Sequence, residues 1–135
     1  MSSVEMNKQH QGFRKEYFLK TASVHSVWNQ ISTSQGLSEW FAPRVDITKD
    51  RIHIFWDEKG DDRVGTISSR IVDKLIEWHW NDDPQSFIRM EIVSTELSHS
   101  TSLLVEDCDK GLGVEVLEQL WVAHEELLYA RLGIL

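Results

Sequence analysis

The sequence predicts an α+β fold: a curved antiparallel sheet of about six or seven strands around a long C-terminal helix, with two short helices after the first strand. Three observations predict it. Val114–Leu132 reads as one helix whose Leu120, His124, Leu117, Leu128, Trp121 and Val114 fall side by side on a helical wheel, with Val116, Ala123 and Leu127 widening that apolar arc. Its opposite side collects Glu115, Glu118, Gln119, Glu125 and Glu126. Between Val45 and Cys108, apolar residues recur at every second position in runs separated by turn residues. A helix this one-sided needs a broad apolar surface, and the sheet formed by those runs is the one the chain offers.

In chain order, Met1–Gly12 is polar and reads as a flexible lead-in, with no apolar core or cleavage site of a signal peptide. Phe13–Lys20 alternates and reads as a first strand. Thr21 or Ser23 can cap the helix that follows, where Val24, Val27, Trp28 and Ile31 stand at helical spacing. Ser32–Gly36 reads as a turn, and Leu37, Trp40 and Phe41 as a second short helix stopped by Pro43. Val45–Thr48, Arg51–Asp57, Val64–Ile71, Leu75–Trp80, Phe87–Val93 and Thr101–Cys108 then read as strands. Lys49-Asp50, an acidic tip over Glu58–Asp62, Asn81-Asp82-Asp83-Pro84 and Asp109-Lys110-Gly111 supply turns. Connections this short imply an antiparallel meander with the helices on one face. Residues 1–135 are expected to make a single domain.

Composition narrows the function. A net charge of −8 with scattered Lys and Arg argues against nucleic acid, whose phosphates call for clustered basic groups. No apolar run approaches the ~20 residues that span a bilayer, so stable membrane insertion is not expected. The lone Cys108 excludes an internal disulfide framework and fits a reducing compartment, pointing to the cytoplasm. Six tryptophans are many for 135 residues; such side chains fill cores and also line cavities for flat or greasy ligands.

Several stretches resemble the START-like, or helix-grip, superfamily (SRPBCC), and within it homologues of the activator of the heat-shock-protein-90 ATPase. They are Lys20–Trp28, Ile31-Ser-Thr, and Gly36-Leu-Ser-Glu-Trp-Phe-Ala-Pro43, similar to that family's opening strand, helix with a Val-Trp pair and second helix. Glu77-Trp78-His79-Trp80 resembles its later strand, and Gly113 with the helix carrying Leu120-Trp121 its closing element. The chain departs from the family at Val114, where tryptophan is usual. The resemblance implies a sheet wrapped on the C-terminal helix with a cavity between them, in a superfamily whose members bind lipids, sterols, polyketides or hormones and include cyclases.

Among single residues, His124 stands inside the apolar arc of the last helix. It could donate to a cavity ligand or act as acid or base near neutral pH; the plainer alternative is a core histidine satisfied by a backbone carbonyl. Trp40, Phe41, Ile54, Trp56, Trp78, Met90, Trp121, His124 and Leu128 are the expected ligand-binding residues, although a pocket and a solid core draw on the same residue types. Alternation places Ile54/Trp56, Ile76/Trp78/Trp80 and Ile88/Met90/Ile92 on one face. His53 and His79 fall on the other, too few to make a metal site. Cys108 reads as a packing residue, and the acid pairs Asp57-Glu58, Asp61-Asp62 and Asp82-Asp83 as solvated charge. No catalytic residues, metal or cofactor are expected. The function expected is binding of a small hydrophobic or amphipathic ligand between sheet and C-terminal helix. One alternative is a cyclase- or hydrolase-like enzyme using His124, which needs a second polar group converging on it. Another is a protein-binding module touching a chaperone or a second copy of itself, as a homodimer, through the exposed sheet face or first strand.

Overall fold

The computed structural model describes residues 12–57 and 61–134. The chain runs β1 (Gly12–Phe18), α1 (Val24–Ser32), α2 (Ser34–Trp40), β2 (Arg44–Thr48), β3 (Arg51–Phe55), β4 (Asp62–Ile71), β5 (Leu75–Trp80), β6 (Asp83–Thr95), β7 (Ser100–Cys108) and α3 (Val114–Leu132). The seven strands form one sheet in the order β1-β7-β6-β5-β4-β3-β2, with every neighbouring pair antiparallel. This is the expected α+β architecture. Strands β2 through β7 follow one another in the sheet in chain order, while the pair of helices carries the chain from β1 to the far edge at β2.

Local chemistry accounts for the boundaries. Ser23 is the N-cap of α1: its Oγ accepts from the Ser26 amide at 3.0 Å. The stretch expected as a turn over Ser32–Gly36 is instead the end of α1 at Ser32, the single cap residue Thr33 and the first turn of α2. Thr33 caps it, its Oγ1 accepting from the Gly36 amide at 2.9 Å. Gly36 is required there. A Cβ at that position would lie 2.0 Å from the Asn29 carbonyl oxygen and 2.8 Å from the Gln30 Cα, both immovable backbone. The turn expected at Asn81–Pro84 is shorter than the sequence suggests, because β6 begins at Asp83 and a register shift at His79/Trp80 absorbs Pro84 at the strand's start. β1 begins at Gly12; the rest of the lead-in, and Glu58, Lys59 and Gly60 of the acidic tip, lie outside the described residues.

The inward face of the sheet carries Ile52 and Ile54, Ile76, Trp78 and Trp80, Ile88, Met90 and Ile92, and Leu103 and Val105, all buried. Val27, Trp28 and Ile31 of α1 and Leu37 and Trp40 of α2 close over them. Alternation thus places the core where the sequence expected it. The outer face is laced with ion pairs, including Arg14–Glu106, Glu77–Arg89 and Arg89–Glu91.

The last helix has the expected limits but not the expected rotation. Gly113 precedes it and Gly133, at φ 72°, ends it in the left-handed conformation favoured by glycine. Leu117, Trp121 and Leu128 are buried, whereas Leu120 and Leu127, placed within the inward arc by the wheel, are 43% and 51% exposed. Polar anchors set this rotation. The Tyr17 hydroxyl donates to the Trp121 carbonyl at 2.5 Å, and Trp121 Nε1 donates to Asp107 at 2.8 Å. Glu125 is drawn toward β1, accepting from the Tyr129 hydroxyl at 2.9 Å and lying 3.9 Å from Lys15 Nζ.

The crossing of α1 and α2 depends on the bare Gly36 backbone. Gly36→Ala is therefore expected to destabilise the fold by about 2–3 kcal/mol in urea unfolding, as overpacking against rigid neighbours does. An unchanged midpoint would contradict the close approach.

Candidate functional site

The backbone of α3 comes nearest to α2, β1 and α1. Against the ends of the middle strands it stands off, and the gap is a cavity of about 490 Å³. Phe41, at the end of α2, and Trp121 and His124 of α3 form one wall, while Trp56 and Trp80 form another. Leu117 and Leu120 roof it, and Ile88 lies at its base. The aromatic wall is rigid because its members brace one another: ring centroids are 5.6 Å apart for Phe41 and Trp121, 5.2 Å for Phe41 and His124, and 6.0 Å for Trp56 and Trp80.

One end of the cavity is polar. Asp107 and Asp109 come from the end of β7, Arg63 from β4, and Asp61 from the residue before β4. Alternation explains the first and third of these. Asp107 is in phase with inward-facing Leu103 and Val105, and Arg63 with Gly65 and Ile67. Arg63 is heavily committed: it donates to Asp109 Oδ2 at 2.9 Å and grips Asp82 through Nε at 3.1 Å and Nη2 at 2.9 Å. Its guanidinium also lies 4.5 Å from the Trp80 ring centroid. Asp109 further accepts from the Gly111 amide at 2.9 Å, shaping the loop into α3.

Burial perturbs two titratable groups here. It pushes the Asp107 carboxyl up to about 7, opposed by the Trp121 hydrogen bond, reinforced by the Asp109 charge and offset again by Arg63. It pulls the His124 imidazole down to about 4, although a hydrogen bond to the Trp40 backbone works in the other direction. At neutral pH the cavity therefore holds an uncharged imidazole and a carboxyl group close to its midpoint. His124 combines the two roles open to it in the sequence, satisfied by backbone and facing a cavity. Trp80 Nε1, fully enclosed, has no acceptor. None of the described lining residues is a serine, threonine, cysteine or lysine nucleophile.

Of the nine expected ligand-binding residues, the cavity brings together Phe41, Trp56, Trp121 and His124. Trp40, Ile54, Trp78, Met90 and Leu128 instead pack into the solid core beside it. Arg63, Asp61, Asp107 and Asp109 also line the cavity and are not among the residues expected from the sequence. An Asp in step with Leu103 and Val105 was the available signal. The acid pairs expected as solvated charge divide: Asp82 binds Arg63, Asp83 accepts from the Ser86 hydroxyl at 2.7 Å, and Asp61 lines the cavity. His53 pairs with Asp62 and His79 with Glu77, on strands separated by β4. No cluster of three potential metal ligands occurs among the described residues. Cys108 is buried, with its thiol raised by burial and by neighbouring carboxylates. A second hollow of about 510 Å³ lies on the outer sheet face, among Arg14, Glu16, Arg89, Glu91 and Glu106. Its walls are largely charges already paired with one another. No described helix is long and apolar enough to cross a membrane.

Known proteins share this architecture. A solved structure of an Aha1 dimer from Colwellia psychrerythraea is similar at 13% identity and TM-score 0.71, over 90% of this chain and 95% of that one. A protein of Bacteroides fragilis is 25% identical at TM-score 0.61, over 92% of each chain. A protein of the dynemicin biosynthetic locus is 17% identical at TM-score 0.73, over 92% of this chain and 48% of that one. No curated protein matches significantly. The family profile described as the START-like superfamily domain matches residues 6–134. With nearly the whole chain matched and its sheet closed over α3 as seen above, the protein belongs to the START-like superfamily.

Proposed function

We propose that this protein binds a small apolar or amphipathic molecule in the cavity between the sheet and α3. The observation that carries the reading is the cavity itself, about 490 Å³ and walled by Phe41, Trp56, Trp80 and Trp121. Its volume is in the range of ordinary small-molecule sites. Burying about 400 Å² of a two- or three-ring ligand's apolar surface contributes about 10 kcal/mol at about 25 cal/mol per Å². Immobilising the ligand offsets part of that, so unaided burial supports affinities no tighter than about micromolar. Orientation then falls to the polar end and to His124.

A second reading, self-association, is favoured by a different observation. Val116, Leu120 and Leu127 are exposed on α3 and, with Ala123, recur at spacings of four, three and four residues, the seam of paired helices. The occupant would be a second copy of this chain. The Colwellia psychrerythraea relative is described as a dimer.

The neutral fluorophore N-phenylnaphthylamine tests the first reading. Saturable binding at micromolar concentrations is expected, weakened about tenfold or more by Leu120→Trp, which fills the cavity mouth. Absence of saturable binding to the wild-type protein would remove it. Light scattering tests the second: a mass twice that of the monomer is expected, reverting to one chain in Leu127→Glu. A monomer at high protein concentration rejects it.

A further inference from the structure

We infer that the cavity selects an aromatic ligand carrying a protonated amine and discriminates against carboxylates, phosphates and other anionic amphiphiles. The inference rests on the ligand-binding reading and adds the class of ligand. Its basis is the charge at the polar end. Among the described residues lining the cavity, Asp61, Asp107 and Asp109 face a single cation, Arg63. That cation is already consumed, by Asp109 at 2.9 Å inside the cavity and by Asp82 at 2.9 Å outside it. An incoming anion would have to displace a carboxylate from Arg63 while standing beside the others in a poorly solvated site, where like charges repel strongly. An ammonium group meets the reverse situation.

Two further features point to a cation attached to a flat ring. Trp56, Trp80 and Trp121 line the same space and suit a flat ring; with Arg63 already over Trp80, Trp56 and Trp121 are the indoles left for cation–π attraction. His124 adds no competing positive charge, because its buried imidazole stays neutral above about pH 4.

Asp107 makes the selectivity depend on pH. The groups facing it are Arg63 from β4, Asp109 on its own strand end and Trp121 from α3, with Asp61 and His124 across the cavity. Its carboxyl sits at about 7, so it is chiefly ionised at pH 8 and chiefly neutral at pH 6, while an alkylammonium keeps its proton throughout. Amine affinity should therefore rise through neutrality as the carboxylate forms.

Three isosteric probes separate the possibilities: naphthylethylamine, naphthylethanol and naphthylacetate, titrated by calorimetry at pH 8. The amine is expected to bind about tenfold tighter than the alcohol and the acetate weakest, with amine affinity falling up to about tenfold at pH 6. Asp107→Asn keeps an oxygen for the Trp121 N–H to donate to, and is expected to abolish the pH dependence and most of the preference. Asp61→Asn, at an exposed position, is expected to reduce the preference without touching the buried network. Acetate binding as tightly as the amine, while the alcohol also binds, overturns the ligand class and leaves the cavity reading intact. No binding of any probe, the alcohol included, overturns both. A preference unchanged in both variants overturns the role assigned to the carboxylates.

Discussion

Trp121 is the pin on which the molecule turns. Its indole N–H donates to Asp107 at the end of β7, its carbonyl accepts from Tyr17 of β1, and its ring meets Trp40 and Phe41 of α2. One residue thus ties the terminal helix to two strands and to the helical layer. These ties are directional, which apolar packing is not, so they determine how far α3 stands from the sheet and how it is rotated. Because the anchors lie toward β1 and β7, the helix is drawn to that side and stands off the ends of β3–β5. The cavity is the space left by that lopsided attachment.

The same attachment places a carboxylate where a hydrophobic residue would stabilise the protein more. Asp107 is buried and its charge is poorly solvated, a cost that a Leu in step with Leu103 and Val105 would avoid. Its bond to Trp121 recovers part of that cost and gives the helix a unique setting. Arg63 is likewise an inward strand residue spanning Trp80, Asp82 and Asp109 rather than filling the core. Polar groups drawn into an otherwise apolar wall are where local rules yield to something else, and ligand recognition is the role proposed for them.

Much of the fold was legible because its signals are local. Strict alternation in Leu75–Trp80 and Arg51–Phe55 identified strands and their inward faces, and Gly113 and Gly133 bracket the long helix at the limits its periodicity implied. The resemblance in Gly36–Pro43 and Val27-Trp28 led to the superfamily. What was not legible is tertiary. The apolar arc of α3 spans two adjoining faces, and periodicity is silent on which one turns inward; hydrogen bonds from residues more than ten positions away decide it. For the same reason Leu120 and Leu127, inward by periodicity, are half exposed. Trp78 and Met90 are indistinguishable in sequence from Trp56 and Trp80, yet only the latter pair reaches the cavity, because the stand-off of α3 begins beyond β5's midpoint. The polar end was overlooked because turn-forming Asp residues are commonplace, and phase along β7 was the discriminating signal.

The proposed role of the protein requires that the space beneath α3 admit a ligand. The six tryptophan indole N–H resonances report on it directly in a two-dimensional NMR titration with naphthylethanol. Trp56, Trp80 and Trp121 are expected to shift together along one saturable curve, while Trp28, on α1, stays in place. Indole resonances that stay in place for all three cavity tryptophans, with backbone amide shifts confined to Val116, Ala123 and Leu127 on the outer side of α3, would contradict it.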